Sequence, residues 1–407
     1  MHGQLRVAIA GAGMVARVHA DAVRRAGARL VGVSASTPER GKAAAGELGA
    51  ERAYDTSEDL VVSDEVDIVH ICTPNGLHRP LAELALRAGK HVVCEKPLAT
   101  SAAEAAELTR LAAGQGVVAA VPFVYRYHPM AAEARARVRS GALGAVHLLH
   151  GHYLQDWLAD PADSNWRVDP VVGGPSRAFA DIGSHWCDLA EWITGHRISE
   201  LVASTATVHG ERSAAMSGTF SAAVAGGAGE RRTVTTEDAA HLLFRTDRGA
   251  TGSLLVSQVS PGRKNRLWLE IDAAGASVTF DQENPETLLL GRRESTEVLS
   301  RDAALLAPDA ARLSTLPPGH PLGYHDCFAA FVRDVHDAVR GGEARHPGFA
   351  DAARTAALTD AVLASAHTRS WTEVPACSNI SGSDPPGPHE MRGWSESGGR
   401  TPQGEAE

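Results

Sequence analysis

Asp181 and His185 stand four residues apart in the stretch Asp181-Ile182-Gly183-Ser184-His185. A helix beginning near Gly183 puts both side chains on one side of its first turn. An imidazole with a carboxylate beside it can take a proton at neutral pH. Lys96, in Glu95-Lys96-Pro97, brings a cation to the same place, and Pro97 is a position where a cis bond would aim it. Base, orienting acid and cation together suit the oxidation of an alcohol, provided that a hydride acceptor lies nearby.

The N-terminus supplies a place for that acceptor. Leu5 to Ala10 is a compact apolar run, as a fully buried parallel strand should be. Gly11-Ala12-Gly13-Met14-Val15-Ala16 follows, and then a helix to about Ala26. This is G-x-G-x-x-A between strand and helix. Gly11 allows the tight turn, Gly13 lets a pyrophosphate approach the backbone, and Ala16 lets helix and strand pack closely. Free N–H groups of the first turn, at Met14 and Val15, face the phosphates.

A second strand, Leu30 to Ser34, ends in Ala35-Ser36-Thr37-Pro38-Glu39-Arg40. An NAD enzyme usually carries an acid here for the ribose hydroxyls. Ser36 and Arg40 instead suit a 2′-phosphate, which favours NADP. If Arg40 is only a solvated surface residue, NAD or both nucleotides remain open. Helix and strand keep alternating. Asp67 to Cys72 is strand, with the loop Thr73-Pro74-Asn75-Gly76-Leu77-His78 after it, then helix 79–88. His91 to Cys94 is strand before Glu95-Lys96-Pro97, a helix covers about 101–113, and Val117 to Val121 is strand. Repeated βα units imply a doubly wound parallel sheet with ligands at the carboxyl ends of its strands. Thr73, Pro74, Asn75, His78, Glu95 and Lys96 fall at such ends.

These residues add up to a resemblance. The segments GAGMVARVHA, CTPNGLH, HVVCEKPLA and DIGSHWCDLAEW, in this order and spacing, resemble the glucose–fructose oxidoreductase / inositol dehydrogenase (Gfo/Idh/MocA) family. The likeness runs from about residue 5 to 373. It implies a Rossmann domain followed by an α/β domain with a large, mostly antiparallel open sheet. It implies a catalytic Lys96 and, from the D-x-G-x-H segment, a catalytic Asp181 and His185. It implies hydride transfer to or from a sugar, cyclitol or related compound. The missing acid after the second strand departs from the NAD pattern.

The expected division is a Rossmann domain over 1–122, a substrate and oligomerisation domain over 123–374, and a disordered tail over 375–407, which is rich in Ser, Gly, Pro and Glu. Tyr125 lies in the segment that leaves the first domain. Helix 130–139 precedes a strand, Val146 to Tyr153, on which His150 and His152 share one face. No further metal ligand is obvious, and no metal is expected. Trp157, Trp166 and Arg167 sit in a long loop rich in Pro, Asp and Trp. Indole faces stack on sugar rings and Arg can hydrogen-bond hydroxyls, although the two Trp could equally plug the core beneath the loop. A helix continues from Asp181 to about Thr194. Strand-like runs follow at 200–208, 239–246, 250–257, 266–273 and 276–280, with turns such as Gly226-Gly227-Ala228-Gly229. One face of such a sheet needs cover, and self-association into a homodimer or homotetramer is the common solution. Helices span about 325–340 and 349–369. By resemblance, the turn before the first approaches the substrate, which adds Tyr324 and His320 as candidate contacts.

Composition limits the alternatives. A net charge of -10 argues against a nucleic-acid binder. No apolar run approaches the ~20 residues of a membrane span, and the first residues lack signal-peptide order, so a cytoplasmic protein is expected. Five scattered cysteines without a C-x-x-C pair make neither a disulfide framework nor a zinc site. The first four (Cys72, Cys94, Cys187 and Cys327) should be small buried hydrophobes. Two other functions compete with the dehydrogenase. One is a redox-neutral lyase or glycosidase that retains its NAD(P) and oxidises a sugar carbon transiently. The other is a non-catalytic nucleotide sensor, which the intact Lys96, Asp181 and His185 set disfavours.

Overall fold

The computed structural model describes residues 3–214 and 230–376. The tail from Cys377 onward and the Gly226–Gly229 turn lie outside the described residues. The first half alternates strand and helix, with two helices between β2 and β3: β1 (Arg6–Ala10), α1 (Met14–Arg25), β2 (Arg29–Ser34), α2 (Pro38–Leu48), α3 (Ser57–Val62), β3 (Ile68–Ile71), α4 (His78–Arg87), β4 (His91–Cys94), α5 (Ala102–Gln115) and β5 (Ala119–Ala120). The five strands form a parallel sheet in the order β2-β1-β3-β4-β5. The centre of that sheet is fully buried from Val7 to Ala10 and from Ile68 to Ile71. That is why these strands read as continuous apolar runs. Strand β5 is two residues long, shorter than the run 117–121 suggests.

The second half begins with α6 (Pro129–Arg139) and β6 (Val146–Leu154), and then the long loop with α7 (Pro170–Gly173). Next come α8 (Ser184–Thr194), β7 (Ile198–Ala206), the small hairpin β8 (Glu211–Ser213) and β9 (Arg231–Thr233), β10 (Ala239–Thr246) and β11 (Thr251–Ser257). The series β12 (Arg266–Ala273), β13 (Ser277–Asp281), β14 (Thr287–Gly291), β15 (Thr296–Ser300), α9 (Pro308–Ala311), α10 (Tyr324–Val339), α11 (Phe349–Thr368) and β16 (Thr372–Glu373) completes it. The nine-stranded sheet runs β15-β14-β13-β12-β6-β11-β10-β7-β16. It is not a simple meander, because β6 inserts between β12 and β11 and pairs with β11 in parallel.

Burial alternates along β10 and β12, as it must when one sheet face is packed. Leu149, Tyr153, Leu242, Phe244, Leu267 and Leu269 point toward the helices and are buried. Trp186 of α8 sits in that layer and donates from Nε1 to the Trp268 carbonyl at 2.9 Å. Gly151 makes this approach feasible, since a Cβ there would lie 2.0 Å from the Trp268 oxygen. The opposite face keeps Leu148, Leu243, Leu289 and Val298 between 38% and 60% exposed. Helix α11 returns to pack along α5, and Ala102 N donates to Asp360 at 2.9 Å. The last long helix therefore belongs to the seam between the two sheets as much as to the second one. Arg126 pins the same seam by pairing with Asp188 of α8 and Asp351 of α11.

Candidate active site

The glycine loop follows β1. Gly11 has φ +107°, and a Cβ there would lie 2.5 Å from the Cys72 carbonyl oxygen, so glycine is required on both counts. Around Gly13 nothing lies within 4 Å of where a Cβ would be. Gly13 also caps α1 without a side-chain bond, and no acid sits in the first turn of α1. Open space in front of uncapped N–H groups fits a pyrophosphate. Met14, on the same turn, is exposed, and Thr73 Oγ1 is buried without a hydrogen-bond partner. At the end of β2, Thr37 caps α2 and Arg40 returns one turn to donate to Ser36 Oγ at 3.1 Å. No residue from Ala35 to Thr37 carries a carboxylate.

Two expected cofactor residues do other work. The His78 ring nitrogens lie 2.7 Å from the Pro97 carbonyl and 2.8 Å from the Thr73 carbonyl. Both nitrogens are turned to loop carbonyls, and a neutral imidazole donates to one of them. Asn75 Nδ2 donates to the Gly173 carbonyl at 2.8 Å and fastens its loop to α7.

The Lys96–Pro97 peptide is cis. Lys96 Nζ donates to Asp181 Oδ1 at 2.6 Å and to the Asp181 carbonyl at 2.7 Å. Asp181 lies in a π-type turn, Phe179–Gly183, and α8 begins only at Ser184. The expected arrangement with His185 on one helical turn is corrected on this point. A turn of i→i+5 bonds rotates Asp181 off the regular register, and its other oxygen accepts from Gln258 Nε2 at 2.8 Å. Among the described residues His185 Nδ1 has no hydrogen-bond partner, so Asp181 steadies Lys96 and not the imidazole. The His185 ring is instead framed edge-on by Tyr125 and Phe123, at centroid distances of 5.0 and 5.8 Å. Glu237 supports the turn from below, where Oε1 accepts from Ser176 Oγ and from the N–H groups of Arg177 and Phe179.

The electrostatics follow from this packing. Burial raises the Asp181 carboxyl, but the charges of Lys96 and Arg167 and the Lys96 hydrogen bond outweigh it, and the group stays well below the usual carboxylate range. Burial, and then the charge of Lys96, push His185 down to about 3, against the pull of Asp181. The site therefore presents a neutral imidazole beside an ion pair.

Of the substrate candidates, Tyr125 and Arg167 reach this centre. Arg167 Nε is 3.6 Å from Asp181 Oδ1, and its guanidinium lies 4.4 Å over the Trp166 ring. The Tyr125 hydroxyl lies 2.5 Å from the Tyr153 hydroxyl and accepts from Asn265 Nδ2 at 3.1 Å. Tyr153 donates to Asn265 Oδ1 at 2.7 Å, which closes a three-membered ring of hydrogen bonds. Trp157 turns inward: it is buried with Leu158, Val168 and Val234 and donates to Gln155. Of the two readings of this indole, the core plug is the one observed. Tyr324 opens α10 and meets Phe328 edge-on at a centroid distance of 5.0 Å. His320 is exposed and its nearest ring contact is the Pro318 carbonyl, so nothing joins it to the centre. Sequence reasoning missed Gln258, Asn265, Tyr153 and Gln155. No local feature of the sequence marks them, because strand pairing between distant segments brings them together.

On the far face of the large sheet, His150 does gain ligand-type neighbours. Ligand atoms of His150, Glu270 and Asp272 lie within 4.8 Å of one another, and His150 Nε2 is 3.2 Å from Asp272. His152 stacks on Trp268 instead. The expected cysteines are as read: Cys72, Cys94, Cys187 and Cys327 are free and buried. Among the described residues no helix is long and apolar enough to cross a membrane.

Residues 5–123 match the oxidoreductase family with an NAD-binding Rossmann fold, and residues 131–279 match the GFO/IDH/MocA C-terminal domain. The chain belongs to the Gfo/Idh/MocA oxidoreductase family. It is 30% identical over 365 residues to levoglucosan dehydrogenase of Pseudarthrobacter phenanthrenivorans, spanning 85% of this chain and 90% of that one. A solved levoglucosan dehydrogenase in complex with NADH and L-sorbose superposes with a TM-score of 0.83 at 28% identity, over 91% of this chain and 99% of that one. An inositol dehydrogenase homologue with NAD+ from Azotobacter vinelandii gives 0.81 at 25% identity, over 92% of this chain and 98% of that one. As a Gfo/Idh/MocA oxidoreductase, the chain is an NAD(P)-dependent enzyme acting on CH–OH groups of sugar-like compounds. Its open glycine loop, uncapped α1 and unpartnered Thr73 hydroxyl fit the dinucleotide.

Proposed function

We propose that this enzyme oxidises a ring secondary hydroxyl of a pyranose-like sugar or cyclitol, or reduces the matching ketone. The observation that carries the reading is the 2.6 Å Lys96–Asp181 pair beside a neutral His185, at the carboxyl edge of β4. Bound NAD(P) supplies the hydride acceptor. His185 takes the hydroxyl proton, which a neutral imidazole can do across the working pH range. The Lys96 ammonium hydrogen-bonds the reacting oxygen and stabilises its developing negative charge. Asp181, fixed by Gln258, holds that ammonium in place. Arg167, with Trp166 beneath it, and Tyr125 set the substrate's orientation. Levoglucosan, acted on by the relative of that name, is the first substrate to try.

NADP is favoured over NAD because Ser36 and Arg40 stand where a ribose-binding acid would be. The half-exposed apolar residues of the large sheet favour a homodimer or homotetramer joined through that face, and the cytoplasm is the proposed location. Two variants test the catalytic assignment. Lys96→Met and His185→Ala should each lower turnover on the best sugar by ~10²–10⁴-fold. Both should still bind reduced nicotinamide nucleotide, followed by fluorescence, within about threefold of the parent. Near-normal turnover in both variants would show that the assignment is wrong.

A further inference from the structure

A second polar system lies directly behind Lys96 and takes no part in the mechanism above. Glu95 ends β4, one residue before the catalytic lysine, and only 9% of it is exposed. Its Oε2 accepts from the Lys96 backbone N–H at 3.1 Å. Its Oε1 lies 3.0 Å from His19 Nε2. His19 comes from the buried face of α1, and its Nδ1 lies 2.9 Å from Nδ1 of His70 on β3. Both imidazoles are fully buried. Phe328 of α10 closes the group at 5.0 Å from His19.

The geometry fixes the direction of these bonds. A carboxylate only accepts, so His19 Nε2 carries a proton and donates it to Glu95. One of the two facing Nδ1 atoms carries the single proton between them. Such a chain spans three elements of the Rossmann half and ends at the lysine peptide, whereas apolar residues would fill the same space with no unmet hydrogen-bonding need. His70 Nε2 is left without a partner, which marks a network kept despite its cost.

We propose that His19, backed by His70, is a positioning residue that holds the Glu95 carboxylate beside Lys96, so that the cleft favours the oxidised, positively charged nicotinamide over the reduced one. The inference rests on the dinucleotide reading of the glycine loop. Glu95 stands at the carboxyl edge of the strands, on the side of the sheet where Lys96 and Asp181 place the reacting atoms. The oxidised ring carries one positive charge and the reduced ring none. A fixed carboxylate in that poorly solvated place therefore discriminates between the two forms of one cofactor. Burial raises the Glu95 carboxyl, while His19 and then Lys96 outweigh it and keep it anionic, in agreement with this role.

The test measures dissociation constants for the oxidised and reduced forms of the nucleotide the parent binds better, by fluorescence and competition. Glu95→Gln keeps the shape and removes the charge. It should raise the oxidised-to-reduced ratio of dissociation constants about tenfold, mainly by weakening the oxidised form. His19→Leu removes the donor to Glu95 and should move the ratio the same way, and His19→Gln, which can still donate, should bring it back to within about threefold of the parent. A purely structural role would weaken both forms together and leave the ratio alone. An unchanged ratio in Glu95→Gln and His19→Leu, with both forms still bound, overturns the inference while leaving the dinucleotide reading intact. If the parent binds neither form, the dinucleotide reading fails and this inference with it.

Discussion

Two carboxylates flank Lys96, and opposite sides of the molecule hold them. Asp181 faces the cleft and is gripped by donors from distant segments: Lys96 Nζ, Gln258 Nε2 and, at 3.6 Å, Arg167. Glu95 is gripped by His19 of α1, which is backed edge-on by His70 of β3. Both stay below the usual carboxylate range although burial pushes each the other way. The cleft-side carboxylate is paired with the Lys96 ammonium. The rear one is held by hydrogen bonds to His19 and to the Lys96 backbone. In the proposed mechanism the first steadies the cation that meets the reacting oxygen and the second sets the charge that the nicotinamide meets, and substitution should separate them.

The largest effect is expected on the cleft side. Asp181→Asn keeps the shape but leaves Lys96 without its counter-charge. Turnover should fall about 100-fold or more, because the ammonium loses the group that aims it. Removing one partner of a buried pair also costs folding stability, by about 3–5 kcal/mol at the upper limit. Gln258→Leu removes a lesser donor from the same carboxylate and should lower turnover by roughly tenfold. Steady-state kinetics on both variants decide the point. If Gln258→Leu matched the parent, Asp181 would need no second anchor and the ordering drawn here would fail.

The fold and the segments that carry the proposed catalytic residues were legible in the sequence for definite reasons. Strands buried on both faces read as apolar runs, so β1 to β4 stood out together with the glycine loop between β1 and α1. Lys96, Asp181 and His185 were found because each sits in a short motif with neighbours that carry its identity. Gln258 and Asn265 were not found, because each is a single polar residue delivered by long-range strand pairing and nothing local marks it. The direction of Asp181 was also misread, since a π-type turn looks in sequence like the start of an ordinary helix. Strands β14 and β15 escaped notice at the sheet edge, where the exposed residues of β15 show no alternation. The insertion of β6 beside β11 is a topological fact with no local signature.

The buried imidazoles give an effect of middle size that is visible without substrate. Burial pushes His70 well below its ordinary value and brings His128 and His336 to about 4 and His185 to about 3. In the unfolded chain these imidazoles take protons near ~6.5. Between that pH and the folded values the unfolded state binds more protons, so stability must rise with pH across the window. Asp188 works the other way: burial pushes it up to about 6 against the pull of Arg126, and it gains stability on acidification. Burial also raises Glu237 and Asp360, but His78, His91, His152, His196 and His346 are lowered as well, and the imidazoles outweigh the three carboxyls. The melting temperature should drop from about pH 7 to about pH 5, at up to ~1.4 kcal/mol per pH unit for each imidazole. A flat melting temperature over that range would mean that the buried histidines are not kept neutral, and the neutral His185 beside the Lys96–Asp181 pair would lose its basis.

The smallest effect belongs to the exposed end of the nucleotide site, where neither kind of burial operates. Arg40 donates to Ser36 Oγ in solvent and is not paired with a carboxylate. A 2′-phosphate can draw on that guanidinium, but water and salt screen the attraction. Arg40→Ala should weaken NADPH binding about threefold to tenfold and leave NADH within about twofold. Titration at low and at raised salt sharpens the contrast: the NADPH preference of the parent should shrink as salt increases, whereas the effects at Asp181 and Glu95, which lie out of solvent, should hold. Equal loss of both nucleotides in Arg40→Ala would assign the guanidinium to helix α2 and not to the phosphate, and the preference for NADP would have to be withdrawn.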